Sequence, residues 1–135
     1  MAMTITFPGG KRVDAQVNSI TIQTDQSVAA GGAGSAPEPF TLFLASLGTC
    51  AGIYVLGFCQ SRGIPTDGVR LVQHQEFDKE TRKLAKVRIE IEVPKGFPEK
   101  YLDAVRHAAE NCAVKKAIAH PPVFEIVTLV APSAA

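Results

Sequence analysis

The feature that most constrains this sequence is the run from Pro39 to Ser61, which contains no charged side chain. Such a run is long enough to cross a bilayer as a helix. However, several hydroxyl, amide and glycine residues interrupt it, and segments with amphipathic strand patterns flank it. These features favour a helix buried in a globular domain over a membrane span. Because one small domain can rarely cover a helix on every side, we expect a second subunit to supply part of the cover.

Length and composition restrict the class of protein further. The chain has 135 residues, a formal net charge of +1, 46% hydrophobic residues and 20% charged residues. These values are typical of a folded protein, exclude intrinsic disorder and predict a single domain over residues 1–135. The near-neutral charge and the absence of Trp do not favour a nucleic-acid-binding surface. We therefore expect neither nucleic acid nor a membrane as a partner.

The cysteine count and the N-terminal sequence predict the compartment. Three cysteines are too few, and odd in number, for a disulfide-stabilised secreted domain. The first residues, MAMTI, lack the basic segment and apolar run of a signal peptide. We therefore expect a cytoplasmic protein, in which any disulfide is transient or catalytic.

Periodic patterns on both sides of the uncharged run predict an α+β fold. Residues 3–7 and 11–24 alternate apolar and polar side chains and predict a three-stranded antiparallel meander, with Arg12 and Asp14 on its solvent face. Residues 69–77 and 84–93 predict a hairpin. The helices are predicted from about residue 37–40, where Ser35 and Glu38 have capping-box spacing, and from Pro98 to about residue 120. A last strand is predicted at 123–130.

The candidate reactive groups are the three cysteines. Cys50 and Cys59 lie nine positions apart on one predicted helix, which places them on opposite faces and over about 13 Å apart along its axis. Cys50 lies between two glycines and Cys112 among alanines, so the two predicted helices can approach closely enough for a disulfide. Cys59 has large neighbours and is predicted as a core thiol. Cys50 and Cys112 are either a reactive pair or two buried thiols that pack as small apolar side chains.

Activation of a thiol needs nearby positive charge or a helix N-terminus. None of the neighbours of Cys50 one turn away is basic, so we look elsewhere in the fold for a cation, and Arg12 is the candidate. Cys112 is followed by Lys115 and Lys116 but is predicted near a helix C-terminus, whose dipole opposes a thiolate. The histidines lack metal-ligand spacing, so we expect no metal.

Two cysteine-containing segments are distinctive when they occur in this order. They are PFTLFLASLGTC at 39–50 and NCAVKKA at 111–117, and they accompany a GGAG loop at 31–34 and an FPGGKR turn at 7–12. Together they resemble the OsmC/Ohr family, most closely its YhfA-like branch, over about residues 3–130. The resemblance implies an OsmC-like α+β fold with antiparallel sheets around two long central helices. It also implies an intertwined homodimer with active sites at the subunit interface.

The same resemblance implies a thiol-dependent peroxidase that reduces organic or inorganic hydroperoxides without a cofactor. Cys50 would attack the peroxide and become a sulfenic acid, and Cys112 would condense with it to a disulfide. An external dithiol would restore both thiols by exchange. The implied substrate-binding residues are Phe40, Phe43, Leu47 and Tyr54.

Two positions depart from the family pattern. The family's peroxidases usually carry a glutamate ten residues before the first cysteine, which orients an activating arginine, and this sequence has Phe40 there. Glu38 is the nearest carboxylate, so Arg12 and Glu38 join the two cysteines as candidate catalytic residues. Ala113 replaces a proline that often follows the second cysteine. An alternative function therefore stays open, a non-catalytic dimer that binds a hydrophobic small molecule, and a cysteine-dependent acyl hydrolase is a third.

Overall fold

One long helix, α1, organises the structure. The computed structural model describes residues 1–132. Within them, the elements in chain order are β1 Thr4–Gly9, β2 Arg12–Val17, β3 Ile20–Ile22, α1 Pro39–Ser61, β4 Arg70–Phe77, β5 Leu84–Glu92, α2 Leu102–Ala109 and α3 Ala113–Ala119. Short 3-10 turns occupy Val28–Ala30 and Glu99–Tyr101. The arrangement is α+β, as the sequence predicts.

Helix α1 begins and ends close to the predicted positions. Pro39 occupies the first turn, where its missing N–H is not needed. Just beyond the helix, Gly63 adopts a left-handed conformation with φ 64°. The expected Ser35–Glu38 capping box does not form, because the Ser35 hydroxyl donates to Asp25 at 2.6 Å and Glu38 makes no side-chain cap.

The chain itself covers only one face of α1. The buried positions recur every three or four residues and form one stripe: Leu47, Ala51, Val55, Phe58 and Cys59. Phe40 and Ile53, outside this stripe, expose about half of their surface. Burial of α1 on all sides therefore requires more than the described part of one chain, and cover from a second subunit stays a prediction.

The N-terminal strands form the predicted antiparallel meander in the order β1–β2–β3. In its middle strand, Ala15 lies opposite Ile5 on one side and Ile22 on the other. The prediction of a solvent-facing Asp14 is wrong, since Asp14 is only 7% exposed. Its carboxylate pairs with Arg12 at 2.9 Å, and this ion pair compensates part of the cost of burying the charge.

Strands β4 and β5 form the predicted antiparallel hairpin and close the core against α1 and α2. Their register runs from Arg70 opposite Glu92 to Phe77 opposite Leu84. The fully packed core combines residues of α1, of α2 and of the loop after β5: Val55, Phe58, Cys59, Phe97 and Val105. Cys59 has no exposed surface, so its interpretation as a core thiol is confirmed.

The second predicted helix is divided into two short ones. Instead of a continuous helix from Pro98 to about residue 120, the structure has α2, a break at 110–112 and α3. The N–H groups of Glu110 and Asn111 turn back onto carbonyls of the last turn of α2, and Cys112 starts α3 as its N-cap with ψ 121°. Two short helices can continue one apolar stripe, so the helical period does not reveal the break. The described chain thus contains one long helix rather than two.

The segment predicted as the last strand, 123–130, is not a strand in this chain. Residues 121–132 form no regular pairing with the described sheets and expose most of their apolar surface, including Phe124 and Ile126. A strand needs a neighbouring strand to satisfy its backbone hydrogen bonds. The alternating apolar pattern is present, but the partner strand is not supplied by the described part of this chain.

Candidate functional site

The two candidate cysteines meet between the middle of α1 and the start of α3. Cys50 lies halfway along α1, and Cys112 is the N-cap residue of α3. The Cys112 thiol faces the Cys50 sulfur and lies 4.0 Å from the carbonyl oxygen of Leu47, which is nearly one turn before Cys50. Both are free thiols, and Cys112 is only 3% exposed. The fold therefore brings together two sulfurs that are far apart in the sequence.

Backbone N–H groups lower the pKa of Cys50. The N–H of Val114 is the largest cause, followed by the thiol of Cys112, and the N–H of Ala113 adds to them. Burial acts in the opposite direction, but the net effect is a Cys50 pKa below the ordinary thiol value of 9.0. Hydrogen-bond donors directed at a sulfur favour its negatively charged form. Within one chain, the groups that lower this pKa are thus peptide N–H groups of the first turn of α3 and the Cys112 thiol, not a basic side chain.

The position of Cys112 corrects the expectation that a helix dipole opposes a thiolate there. Its sulfur accepts a hydrogen bond from the Lys115 N–H at 3.4 Å, and its carbonyl accepts one from the Lys116 N–H at 3.1 Å. Cys112 is therefore at the N-terminal end of a helix rather than towards a C-terminal end, because the break at 110–112 starts a new helix. The sequence offers one weak signal for this break, Asn111, a residue type that favours helix boundaries.

The sequence predicts that the glycines beside Cys50 let the second helix approach α1 closely, but the structure gives them other roles. A Cβ atom at Gly48 would lie 2.6 Å from the Gln73 side-chain oxygen, whereas Gly52 faces open space. The Gln73 side-chain amide donates to the carbonyl of Leu44 at 2.9 Å. Gly48 therefore permits a close approach between α1 and β4. The two cysteines meet because the second helix breaks, not because two continuous helices pack unusually closely.

A cavity of about 500 Å³ opens beside the cysteine pair, between α1, β5 and the α2–α3 segment. Most of its lining is apolar, and Cys112 contributes to it whereas Cys50 does not. The charged lining residues are Lys86, Arg106, Glu110 and Lys115, and Arg106 forms an ion pair with Glu110 at 3.0 Å. A molecule in this cavity would therefore reach the pair from the Cys112 side.

Two of the four predicted substrate-binding residues line this cavity. Phe43 and Leu47 are on its wall, whereas Phe40 and Tyr54 are not. The Phe40 ring instead stacks against Phe43 and Phe77, with centroid distances of 5.4 and 6.3 Å. The structure thus divides the predicted pocket residues into a cavity-lining pair and a pair outside it.

Arg12 and Glu38 are engaged by other groups. Arg12 pairs with Asp14 on β2, and one oxygen of Glu38 accepts the Ser27 N–H at 3.3 Å. Neither side chain contributes to the pKa shift of Cys50. One guanidinium nitrogen, Arg12 Nε, and one carboxylate oxygen, Asp14 Oδ1, are buried without a hydrogen-bond partner. The structure therefore brings the two cysteines together but does not bring Arg12 or Glu38 to them within one chain.

The described side chains do not form a metal centre. Within residues 1–132, no group of three or more His, Cys, Asp or Glu side chains converges as metal ligands do. The functional groups that sequence reasoning missed are the N–H groups of Ala113 and Val114. Backbone groups carry no residue-type signal, so only the position of the helix break reveals them.

Comparison with known proteins identifies the family of this chain. The OsmC-like protein family matches residues 32–127, which include α1, the β4–β5 hairpin and both cysteines of the pair. The chain belongs to the OsmC-like family. A search of curated proteins found no match.

Solved structures share the OsmC-like fold with this chain. A candidate osmotic stress induced and detoxification response protein from Psychrobacter arcticus is 24% identical, with a TM-score of 0.73, over 90% of this chain and 89% of that chain. The organic hydroperoxide resistance protein OsmC from Legionella pneumophila is 18% identical, with a TM-score of 0.55 and coverage of 87% and 89%. OhrB of Bacillus subtilis is 17% identical, with a TM-score of 0.51 and coverage of 87% and 90%. At these identities the likeness shows the fold.

The OsmC-like fold also decides how helix α1 is interpreted. By length and composition alone, Pro39–Ser61 could cross a membrane, a test that the core helix of a globular protein also passes. The similarity to the Psychrobacter arcticus structure spans 90% of this chain, and α1 carries the buried stripe of the core. Helix α1 is therefore the central helix of an α+β domain.

Proposed function

We propose that this OsmC-like protein is a thiol peroxidase that reduces hydroperoxides through Cys50 and Cys112. The observation that carries the proposal is the placement of the Cys112 thiol beside Cys50 at the start of α3, 4.0 Å from the Leu47 carbonyl, where N–H groups lower the pKa of Cys50. A thiolate is the nucleophilic form of cysteine, so Cys50 is assigned the attack on the peroxide. Cys112, already facing Cys50, is assigned the resolving role.

The proposed reaction has three balanced steps. The Cys50 thiolate attacks the terminal oxygen of the hydroperoxide, the O–O bond breaks, and a proton from solvent completes the alcohol product. The resulting sulfenic acid condenses with the Cys112 thiol, which forms the S–S bond and releases water. An external dithiol then reduces the disulfide by two exchange steps and is itself oxidised to a disulfide. A cytoplasmic location, which keeps such dithiols reduced, belongs to the same proposal.

The proposal includes a homodimer. Apolar side chains are exposed on α1, on the meander and on the segment after α3, and examples are Ile53, Phe7 and Ile126. Apolar exposure on this scale is unusual for a monomer and is typical of surfaces that another chain covers. We propose that a second copy covers them, and sedimentation at micromolar concentration is expected to give twice the mass of one chain.

Arg12 enters the proposal as an activating cation that acts across the dimer. Its pair with Asp14 is partly buried, and Arg12 Nε has no hydrogen-bond partner, so the guanidinium retains donor capacity for a group from the other subunit. A cation beside a thiolate lowers the thiol pKa further. Glu38 has no part in the proposed reaction, because its carboxylate is held by Ser27 in the loop before α1.

The apolar cavity supports one alternative function. Its volume of about 500 Å³ is within the range of small-molecule sites, and its wall is mostly apolar. A non-catalytic dimer that binds a hydrophobic small molecule would use the same cavity and leave the cysteines as packed thiols. Phe40, at the position where the family's peroxidases usually carry a glutamate, also favours this alternative.

A thiol count distinguishes the two functions. Reduced protein is treated with cumene hydroperoxide, and the free thiols are counted and assigned by peptide mapping. The peroxidase proposal predicts rapid loss of Cys50 and Cys112, with Cys59 still reduced. Slow loss that does not depend on the peroxide used, or equally fast loss of two thiols in Cys50→Ser, would reject the peroxidase in favour of the binding protein.

The role of Arg12 is tested by mixing variants. Arg12→Gln is expected to slow peroxide-dependent oxidation of Cys50 by about tenfold, the effect of losing one charged hydrogen bond. Co-expression of Arg12→Gln with Cys50→Ser should restore fast oxidation, because the mixed dimer joins an intact Arg12 to an intact Cys50 on the other chain. Oxidation that stays slow in the mixed dimer would contradict action across the dimer, since neither of its chains carries both intact residues.

A further inference from the structure

The start of α3 lies beside both sulfurs of the pair. The Lys115 N–H donates to the Cys112 sulfur at 3.4 Å, and the N–H groups of Val114 and Ala113 lower the pKa of Cys50. The first N–H groups of any helix lack partners inside the helix and need outside acceptors. In α3, the Cys112 thiol provides one of those acceptors, and the Cys50 thiol lies near the N–H groups of Ala113 and Val114.

Helix α3 has little else to hold it. It is seven residues long, six of these residues are exposed, and Val114 alone is half-buried. Helices of this length are unstable in isolation, so their stability depends on capping and packing. It packs against α1 but contributes no residue to the buried core, whereas α2 contributes Val105. The sulfur contacts at the N-terminal end are therefore a large part of what keeps α3 in place.

A disulfide would remove these contacts. When the bond forms, Cys50 can no longer carry a negative charge, and a disulfide sulfur is a weak acceptor for N–H groups. The bond also imposes its own geometry on both cysteines, with a Cβ–S–S–Cβ dihedral of about 90°. The first-turn N–H groups of α3 would then lose their acceptors, and unsatisfied donors destabilise a buried or half-buried turn.

We propose that formation of the Cys50–Cys112 disulfide, which ties Cys112 to α1, frees the rest of α3 at 113–119 from its packing on α1, and that this release exposes the disulfide to its reductant. In the reduced state Cys112 is 3% exposed, so a dithiol has little access to its sulfur. After oxidation, opening of 113–119 uncovers the sulfur that a thiolate must attack in line with the S–S bond. The inference rests on the proposed function because it requires that disulfide, although it does not depend on the oxidant that forms it.

Hydrogen–deuterium exchange tests the release. Diamide oxidises the two thiols, takes up their two hydrogen atoms and two electrons, and leaves the S–S bond, so no peroxide is needed. Exchange at 113–119 is expected to become about tenfold or more faster in the oxidised dimer, while the α1 core around Val55 stays protected. Cys50→Ser treated with diamide cannot form the pair and should exchange like the reduced protein.

Two substitutions of Cys112 separate the capping role from oxidation. Cys112→Ser keeps a good N-cap acceptor and should leave α3 protected with or without diamide. Cys112→Ala removes the acceptor and should speed exchange at 113–119 several-fold in the absence of any oxidant. Unchanged protection at Val55 verifies that both variants are folded.

The outcomes separate this inference from the proposed function. A mapped Cys50–Cys112 disulfide with unchanged exchange at 113–119 would overturn the release of α3 and leave the peroxidase proposal intact. Failure of the disulfide to form, established by peptide mapping, would overturn both. Faster exchange in the oxidised protein and in Cys112→Ala, with protection in Cys112→Ser, would support the release.

Discussion

The two chain segments that carry the cysteine pair are built in opposite ways. Cys50 lies within a 23-residue helix that is anchored to the core along a buried stripe. Cys112 lies at a helix break and begins a seven-residue helix without a buried residue. A rigid segment thus holds one sulfur, and a weakly held segment brings the other sulfur and the N–H donors to it. In the proposed reaction the two segments have different roles, since α1 positions the nucleophile, whereas α3 activates it and, in the proposed release, moves.

The largest expected effect on activity comes from replacing each sulfur of the pair in turn. Cys50→Ser is expected to reduce peroxide consumption to the uncatalysed rate, because serine is not a nucleophile at neutral pH without a base. Cys112→Ser should still consume one equivalent of peroxide and then accumulate a sulfenic acid, which dimedone labelling followed by mass spectrometry detects. Equal first-turnover rates in Cys50→Ser and the parent would mean that Cys50 is not the nucleophile.

The next largest effect concerns the anchoring of the two segments. Phe58→Ala, in the buried stripe of α1, is expected to lower the free energy of unfolding by about 3–5 kcal/mol. Ile118→Ala, on exposed α3, is the control for Phe58→Ala and should lower the free energy of unfolding by less than about 1 kcal/mol. Urea denaturation followed by circular dichroism measures both. Similar losses for the two variants would show that α3 is anchored as firmly as α1.

A smaller effect should appear in the pH dependence of alkylation at Cys50. Because N–H groups of α3 lower the pKa of Cys50 below 9.0, its reaction with iodoacetamide should reach half of its maximum rate at a lower pH than in the urea-unfolded chain. By linkage, ionisation of Cys50 stabilises the fold above its unfolded pKa, and this contribution is lost as the pH falls through the lowered pKa.

The same titration on a capping variant shows where the shift originates. In Cys112→Ala, which weakens the start of α3, the alkylation midpoint of Cys50 should move back towards the unfolded value. An unchanged midpoint in this variant would assign the low pKa to groups of α1 or of the second subunit instead.

The smallest expected effect is that of Glu38→Gln. The Glu38 carboxylate contacts the Ser27 N–H near the start of α1, so its loss should cost less than about 1 kcal/mol of stability. The rate of peroxide-dependent thiol loss should stay within about twofold of the parent, since a group outside the site does not alter transition-state binding. A larger fall in rate would place Glu38 in the reaction after all.

Sequence reasoning was most accurate where a pattern is local and repeated. The period-2 alternation located the β4–β5 hairpin, and the uncharged run located α1 from Pro39 to the turn at Gly63. It was wrong where burial or strand pairing, which alternation along the chain does not encode, decides the outcome. The burial of Asp14 depends on its Arg12 partner, and the segment 123–130 has the alternation of a strand but no partner strand within the described chain.

For the candidate site, the sequence identified the two sulfurs but not what surrounds them. Resemblance to a known family pointed to Cys50 and Cys112, and the structure brings both together. The continuous second helix predicted from the sequence put no helix N-terminus beside Cys50, so Arg12 was the candidate and the N–H groups of Val114 and Ala113 were missed. Every residue except proline carries the same N–H, so no residue type distinguishes the one that points at a sulfur.

By itself, the sequence determined the order of the elements from β1 to β5, the family and the two candidate thiols, because these depend on residue types at short or fixed spacing. Only the tertiary structure decided that the second helix breaks at Cys112 and that the new helix directs its first N–H groups at Cys50. That outcome depends on which backbone groups find acceptors once α1 and α3 are packed together. Hydrogen bonding of this kind is a property of three-dimensional geometry, which no periodicity along the chain records.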